Sequence, residues 1–252
     1  MAALEWALPR RTRVLRRWQR WPNNVALVGI ATVVVRLIIP FAAIGVAATA
    51  EAQGWGLFNQ FSLPDWVEVA AAVMLLDLVI YGQHVAFHAQ PWLWRIHRTH
   101  HSDPDIDVTT ALRFHPVEIM LSLLVKLVAV VLLGASPLAV LIFEVLLNAT
   151  AMFNHANIAL PLPIDAVVRR FFVTPDMHRV HHSIDVRETN SNFGFNLPWW
   201  DWLFGTYRAQ PTAGHRGMTI GLSEFRSGRD QRVDQLLLQP LRRDVIEGAN
   251  HE

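Results

Sequence analysis

Four long apolar stretches separated by short polar connections dominate the chain, at residues 25–48, 66–83, 117–133 and 138–153. The first has the roughly 20 residues that a ~30 Å hydrocarbon core demands, while the last two stand near the lower limit for spanning. They predict either two short crossings or a re-entrant hairpin, and both options return the chain to one face. Pro40 predicts a kink in the first span. Gly134-Ala135-Ser136-Pro137 separates the last two, and after residue 156 no stretch is long enough to cross. The pattern predicts an all-α fold: a multi-pass membrane helical bundle of about four spans, with a helical cap on one face.

Charge sets the orientation. Arg10, Arg11, Arg13, Arg16, Arg17 and Arg20 precede the first span, residues 51–65 carry no Lys or Arg, and the segment after 156 is rich in arginine. By the positive-inside rule the N-terminus, the cap and the C-terminal segment are cytoplasmic. The basic block is too long for a signal-peptide n-region and lacks a clean cleavage site. Residues 1–24 therefore read as a retained interfacial lead-in, with arginines at lipid headgroups and Trp6, Trp18 and Trp21 at the same level. Trp55 and Trp66 bracket the outer loop. Residues 25–225 form the main domain and 226–252 a C-terminal tail. Lys126 is the only lysine; this arginine bias suggests a GC-rich bacterial source and hence an inner membrane. At 52% hydrophobic residues and a mean hydropathy of +0.24 the chain suits a membrane, and a net charge of +1 calls for no nucleic-acid partner.

No cysteine is present, which excludes disulfides and thiolate ligands and leaves imidazole, carboxylate and amide groups to hold any metal. Twelve histidines are present, most of them clustered. His97-Arg98-Thr99-His100-His101-Ser102 returns as His178-Arg179-Val180-His181-His182-Ser183. Residues at i, i+3 and i+4 share a helix face, so each hexapeptide aims three imidazoles one way. Pro91 opens the helix that carries the first copy and Ser102-Asp103-Pro104 ends it; Thr174-Pro175-Asp176 caps the helix of the second. On the second span Asp77, Tyr81, His84 and His88 form one polar stripe, and Glu144, Asn148 and His155 form another on the fourth. Polar groups at such depth usually face the bundle interior. A carboxylate behind a ligating imidazole fixes its tautomer, although a deep carboxylate two turns from its histidine is not assured of contact. Asp77 and Glu144 have a competing use, as partners for Arg36 or Lys126 across helices.

Nine histidines (His84, His88, His97, His100, His101, His155, His178, His181 and His182) exceed what one ion of four to six coordination can hold, and suit two metals with positions left for small molecules. Imidazole alone does not choose the metal. His115 stands between two readings, a tenth ligand or the residue that orders the turn into the third span. His215 and His251 read as ordinary polar residues. Residues 190–207, aromatic and turn-rich, are expected to fold over the site, and residues 233–238 to form a short peripheral helix ended by Pro240.

His84-x3-His88 and the two hexapeptides resemble the three histidine boxes of the fatty acid hydroxylase/sterol desaturase superfamily of integral-membrane di-iron enzymes. Leu93-Trp94-Arg95-Ile96-His97, Ala111-Leu112-Arg113-Phe114-His115-Pro116, Asn154-His155-Ala156-Asn157, Trp200-Asp201 and Gly205-Thr206-Tyr207 agree with it. The resemblance spans residues 25–225. It implies two iron ions that activate O2 to hydroxylate or desaturate a C–H bond of a sterol-like or fatty-acyl lipid. Some relatives pair a second histidine with the one at His155, whereas position 159 here is alanine; His115, Asn192 or water is left as the tenth ligand. Asp77, Tyr81, Glu144 and Asn192 are the candidates for support behind the ligands. No cytochrome b5-like segment is seen, so electrons are expected from a separate donor, a ferredoxin or a cytochrome b5-like protein with its reductase. The competing function is a histidine-rich metal-binding or metal-transport protein without oxygenase activity. An intramembrane metalloprotease is disfavoured because Arg98 and Arg179 stand where His-Glu-x-x-His needs glutamate.

Overall fold

The computed structural model describes residues 1–39 and 42–242; Pro40, expected to kink the first span, and His251 lie outside the described residues. Among the described residues every regular element is helical, with two isolated β-bridges. In order, the helices are α1 (Ala2–Ala7), α2 (Arg17–Ile38), α3 (Ala43–Ala52), α4 (Asp65–Ala89), α5 (Pro91–His101), α6 (Pro116–Leu133), α7 (Pro137–Asn154), α8 (Leu162–Val168), α9 (Pro175–His181), α10 (Val186–Thr189), α11 (Trp199–Phe204), α12 (Gly214–Gly217) and α13 (Val233–Leu238).

Among the described residues four segments are long and apolar enough to cross a membrane: Arg17–Ala52, Asp65–Ala89, Pro116–Leu133 and Pro137–Asn154. Small residues set how closely they pack. Ala43 and Ala47 of α3, Ala72 of α4, Ala129 of α6 and Ala139 of α7 are buried in one cluster with Leu76, Ile80, Val130, Val140 and Phe143. Between apolar helices in lipid, such residues let backbones approach and recover dispersion energy.

The α6–α7 hairpin turns at Gly134, whose φ of 65° is a left-handed C-cap. Ser136 then caps α7 by accepting from the Ala139 N–H, with Pro137 at its first position. The turn reaches the loop between α3 and α4: Leu57 N–H donates to the Leu132 carbonyl at 3.0 Å, and Ser136 Oγ donates to Glu68 at 2.8 Å. The tip of the hairpin therefore lies at the α3–α4 end of the bundle, opposite the histidines, as two crossings require.

The lead-in differs from the expectation of an interfacial helix. Only α1 is helical before Arg17, and residues 8–10 pair with 157–159 through Arg10 N–H to Asn157 O (3.1 Å) and Ala159 N–H to Leu8 O (2.9 Å). Glu5 is buried and accepts from the backbone of Val108 (2.7 Å) and Asn157 (2.9 Å). Arg20 is fully buried between Asp103 (2.5 Å) and Asp107 (2.6 Å), and Arg10 grips Asp176 at 2.9 Å. The physical reason is charge matching: Asp103, Asp105 and Asp107 follow the first hexapeptide with no basic residue among them. Trp21 also turns inward, donating from Nε1 to Asp107, whereas Trp6 and Trp18 stay exposed. The segment is a strap across the histidine-bearing face.

Candidate metal centre

Two groups of buried imidazole nitrogens form at the inner end of the bundle. One joins His84, His88, His97, His101 and His181; the other joins His100, His155, His178 and His182; within each group the nitrogens lie within 4.8 Å of one another. All nine histidines read from the sequence are thus brought together. Each hexapeptide divides between the two groups: the i, i+4 pairs His97/His101 and His178/His182 stay on their own sides, while His100 and His181 cross. That crossing follows from helix geometry, since neighbouring positions i+3 and i+4 lie on either flank of one face.

The hexapeptide arginines face the other way. Arg98 donates to the carbonyls of Gln239 (2.7 Å) and Arg242 (2.5 Å), tying α5 to the turn after α13. Arg179 pairs with Asp176 and reaches the Ala156 carbonyl at 3.4 Å. Arg113, also buried, donates to the Thr99 carbonyl (2.8 Å) and Ser102 Oγ (2.8 Å) and fixes the end of α5.

Ring orientation is imposed from behind. His84 Nδ1 meets the Phe193 carbonyl (2.8 Å), His181 Nδ1 the Ser191 carbonyl (2.9 Å) and His155 Nδ1 the Ala151 carbonyl (2.7 Å). A carbonyl only accepts, so these rings carry their proton on Nδ1 and turn a bare Nε2 lone pair inward. His88 Nδ1 meets Asn190 Oδ1 (3.2 Å), and His97 Nδ1 meets Glu118 Oε1 at 2.6 Å. Nε2 of His84, His97 and His181 is buried with no hydrogen-bond partner. In the second group His155 Nε2 stands 3.1 Å from His100 Nε2 and 3.0 Å from His178 Nε2, with His182 Nε2 3.2 Å from that of His178.

Converging lone pairs repel unless something positive lies between them. A bare proton serves one pair, whereas a metal ion serves a whole group. Nitrogens about 2.1 Å from a common ion are about 3.0–3.4 Å apart at octahedral and tetrahedral angles, which matches the observed spacing. Burial, followed by the neighbouring imidazoles, pushes His100, His101, His178 and His182 well below the usual imidazole value. Burial lowers His155 to about 4 and His181 to about 3. A ligating imidazole must be neutral, and with their converging nitrogens these rings meet that condition, so the donor set fits two metal ions.

The remaining sequence candidates are placed elsewhere. Asp77 accepts from the backbone of Asn196 (3.3 Å) and Leu197 (3.2 Å) and from Trp200 Nε1 (2.9 Å). Tyr81 Oη bonds Thr206 Oγ1 at 2.9 Å. Both pin residues 193–206, the segment whose Phe193 carbonyl orients His84, so they act through that loop and not on a ring. Asn192, at φ 51°, ties the Met177 and Arg208 carbonyls together (2.9 and 2.8 Å) and lies in neither group. Glu144 pairs with Lys126 at 2.5 Å instead of a histidine. His115 caps α6 by accepting from Val117 N–H and reaches the Leu237 carbonyl at 3.2 Å, outside both groups. His215 lies 3.4 Å from Asp176. The carboxylate that does back a clustered ring is Glu118, in the first turn of α6. Its visible signal was an acidic residue two positions after Pro116, at the mouth of a span and one helix away from the first hexapeptide.

A cavity of about 300 Å³ opens beside the first group and descends between α2, α4, α6 and α7. His84, His97 and Glu118 form its inner end, Phe87, Phe114 and Phe195 its aromatic wall, and Ile80, Ile119, Leu123 and Leu147 its apolar depth. Phe114 stacks on His100 at 4.3 Å between centroids, so an apolar face reaches both groups.

The sequence profile of the fatty acid hydroxylase family matches residues 69–206, more than half of the chain. The chain belongs to the fatty acid hydroxylase family. The family's matched stretch takes in all nine clustered histidines, Glu118 and the cavity walls from α4, α6 and α7. It leaves out the N-terminal strap and the turn after α13 that packs against α5. Among similar proteins, ornithine lipid hydroxylase OlsE of Rhizobium tropici is 32% identical over 57% of this chain and 43% of its own length. Human alkylglycerol monooxygenase is 28% identical over 68% of this chain and 38% of its own. Methylsterol monooxygenase 2-2 of Arabidopsis thaliana is 26% identical over 66% and 64%. The chain thus covers between about two fifths and two thirds of the length of these relatives. No solved structure matches it.

Proposed function

We propose that the protein is a membrane-bound, O2-dependent oxidoreductase that hydroxylates a C–H bond of a lipid, with two iron ions held by the nine histidines. The observation that carries this reading is two adjoining groups of inward-facing imidazole lone pairs at the end of an apolar cavity inside a membrane bundle. Zinc would satisfy the donors equally well; family membership is what favours iron. The ornithine lipid, alkylglycerol and methylsterol relatives are named as hydroxylase or monooxygenases, which favours oxygen insertion over desaturation. Hydroxylation consumes O2, two electrons and two protons for each C–H bond converted to C–OH, with one water released. The arginine-rich side of the chain favours the cytoplasmic face for the metal centre.

When bound, the irons would supply the O2 activation; the chain supplies placement and exclusion of water. Nδ1 contacts to Phe193, Ser191, Ala151, Asn190 and Glu118 fix five rings before any metal arrives, so little reorganisation is required. Glu118 adds negative charge behind His97, making that ring a stronger donor. The cavity desolvates an alkyl chain and presents it at His84 and His97, where proximity to the first group selects the carbon to be oxidised. The loop over residues 190–206 covers the far side, with Phe193 edge-on to His84 and His181 at 5.6 Å each.

The test is 18O2 labelling of cells that express the protein, followed by lipid mass spectrometry. One 18O atom is expected in a lipid product that is absent from cells expressing His100→Ala. Identical lipids in the two strains, or 18O delivered from water, would contradict the proposal. Retention of iron through purification, with consumption of O2, separates this reading from metal transport.

A further inference from the structure

The cavity has a polar track that the ligand groups do not use. Glu118, Ser122 and Lys126 follow one another at i, i+4 and i+8 on α6 and all line it. Glu144 and Asn148 of α7 and Gln83 of α4 face them across the space. Lys126 Nζ lies 2.5 Å from Glu144 Oε1, and Gln83 Nε2 donates to Ser122 Oγ at 3.0 Å. Gln83 Oε1 is buried with no hydrogen-bond partner. An ion pair and an unused acceptor in the wall of an apolar membrane cavity are costly. They are not needed to join α6 to α7, because α3 and α4 each pack against both helices.

We propose that Lys126 and Glu144, with Gln83, bind an uncharged hydroxyl group on the lipid substrate, remote from the carbon that is oxidised. The inference rests on the lipid oxidation proposed above. The pair is neutral as a whole. An anionic group drawn to Lys126 meets Glu144, and a cationic one drawn to Glu144 meets Lys126. An alcohol accepts from the ammonium and donates to a carboxylate or to Gln83 Oε1 at once. A chain end with only C–H bonds would leave the Gln83 Oε1 acceptor unused and the ion pair facing apolar atoms. The same track gives a length. Lys126 lies a little over two turns beyond Glu118, roughly 12 Å along the α6 axis, and Glu118 holds His97 at the reacting end. The hydroxyl and the oxidised carbon are therefore separated by about that span of extended chain, and the pair acts as a specificity-determining floor.

The experiment compares the lipids of cells expressing the wild type, Lys126→Met/Glu144→Leu, the exchanged pair Lys126→Glu/Glu144→Lys, and His100→Ala, using tandem mass spectrometry to locate oxygen atoms. Metal content of each purified protein is the readout of a folded centre. In the wild-type product the new oxygen is expected to lie far along the chain from a hydroxyl already present. The apolar double variant is expected to make about tenfold less of that product, the worth of a hydrogen bond to a charged group, and to oxidise chains with an apolar end. The exchanged pair should keep the wild-type product. If the apolar variant loses its metal, Glu144→Gln replaces it, with a loss of the same product expected. A wild-type product without a remote hydroxyl, or an unchanged profile in a metal-replete apolar variant, overturns the proposal. Failure of the oxidation reading looks different: no lipid distinguishes the wild type from His100→Ala.

Discussion

Single side chains divide into those whose ring nitrogens converge and those that hold the rings in place. Glu118 is the clearest of the second kind, with its carboxylate 2.6 Å from His97 Nδ1 and both groups buried. Removing such a partner typically weakens metal binding about 10- to 100-fold. Glu118→Ala is therefore expected to lower affinity at the five-histidine group by that factor and leave the four-histidine group filled, as read by metal titration of the purified protein. Equal loss at both groups would contradict the assignment of Glu118 to one of them. Gly194 tests the loop in the same way. A Cβ there would lie 2.7 Å from Asp201 Oδ2 and from the Leu197 carbonyl, so Gly194→Ala must displace the segment whose Phe193 carbonyl orients His84. Lower metal occupancy in the five-histidine group is the expected outcome. The nine clustered histidines were legible because helical spacing repeated in separate elements is hard to produce by chance. Glu118 was not, because its partner ring lies on another helix and no local spacing links Glu118 to His97. Glu144 sits in the pattern that suggested a ligand's partner, yet a nearer opposite charge, Lys126, takes it.

At the level of elements, the caps carried more information than charge did. Pro91 and Thr174 open α5 and α9 where the sequence places them, with Thr174 Oγ1 accepting from Met177 N–H. The loop over residues 190–207 closes on the histidines as its aromatic content suggested. The basic lead-in was only half legible because arginines before a span suit both headgroups and buried carboxylates, and only the fold reveals that Asp103, Asp107 and Asp176 come within reach. The strap makes its own prediction. Arg20→Met leaves Asp103 and Asp107 buried without their cation, and breaking a buried pair costs about 3–5 kcal/mol. A markedly lower melting temperature in detergent is expected, with loss of metal following loss of α5. An unchanged melting temperature would return the segment to a headgroup role. The same reasoning separates Arg20 from Arg36, which is exposed on α2; Arg36→Met should leave stability within about 0.5 kcal/mol of wild type.

Over the whole molecule, a membrane bundle, an apolar cavity and two imidazole groups converge at one level, with the strap and the α13 segment closing the cap around them. The span count followed from hydropathy and length alone. The depth of the α6–α7 hairpin did not, because 18-residue helices fit either a crossing or a re-entrant turn until Leu57 is seen against Leu132. Acid response is a property of the assembled centre. The folded pKa values of His155 (about 4) and His181 (about 3) lie below the ordinary imidazole value of 6.5. Below that value the unfolded chain binds more protons than the folded one, so stability falls as pH falls. It should decline from about pH 6.5 and level off once the folded rings also protonate, near pH 3–4. Asp107 opposes burial through Arg20 and is held down from 3.8 to about 2, so its pair with Arg20 adds loss only below about pH 4, at the foot of that window. Metal-free protein melted at pH 7 and pH 5 should show the lower value at pH 5; the reverse order would mean that the rings are charged in the fold.

The claim on which the rest depends is a dinuclear iron centre shared between the two groups. Its most direct test is the iron-to-protein ratio of the purified wild type measured beside His182→Ala, which removes a ligand from the four-histidine group alone. Two irons per chain are expected in the wild type and one in the variant. A single metal in the wild type, two zinc ions with no iron, or no difference between the proteins would contradict the account.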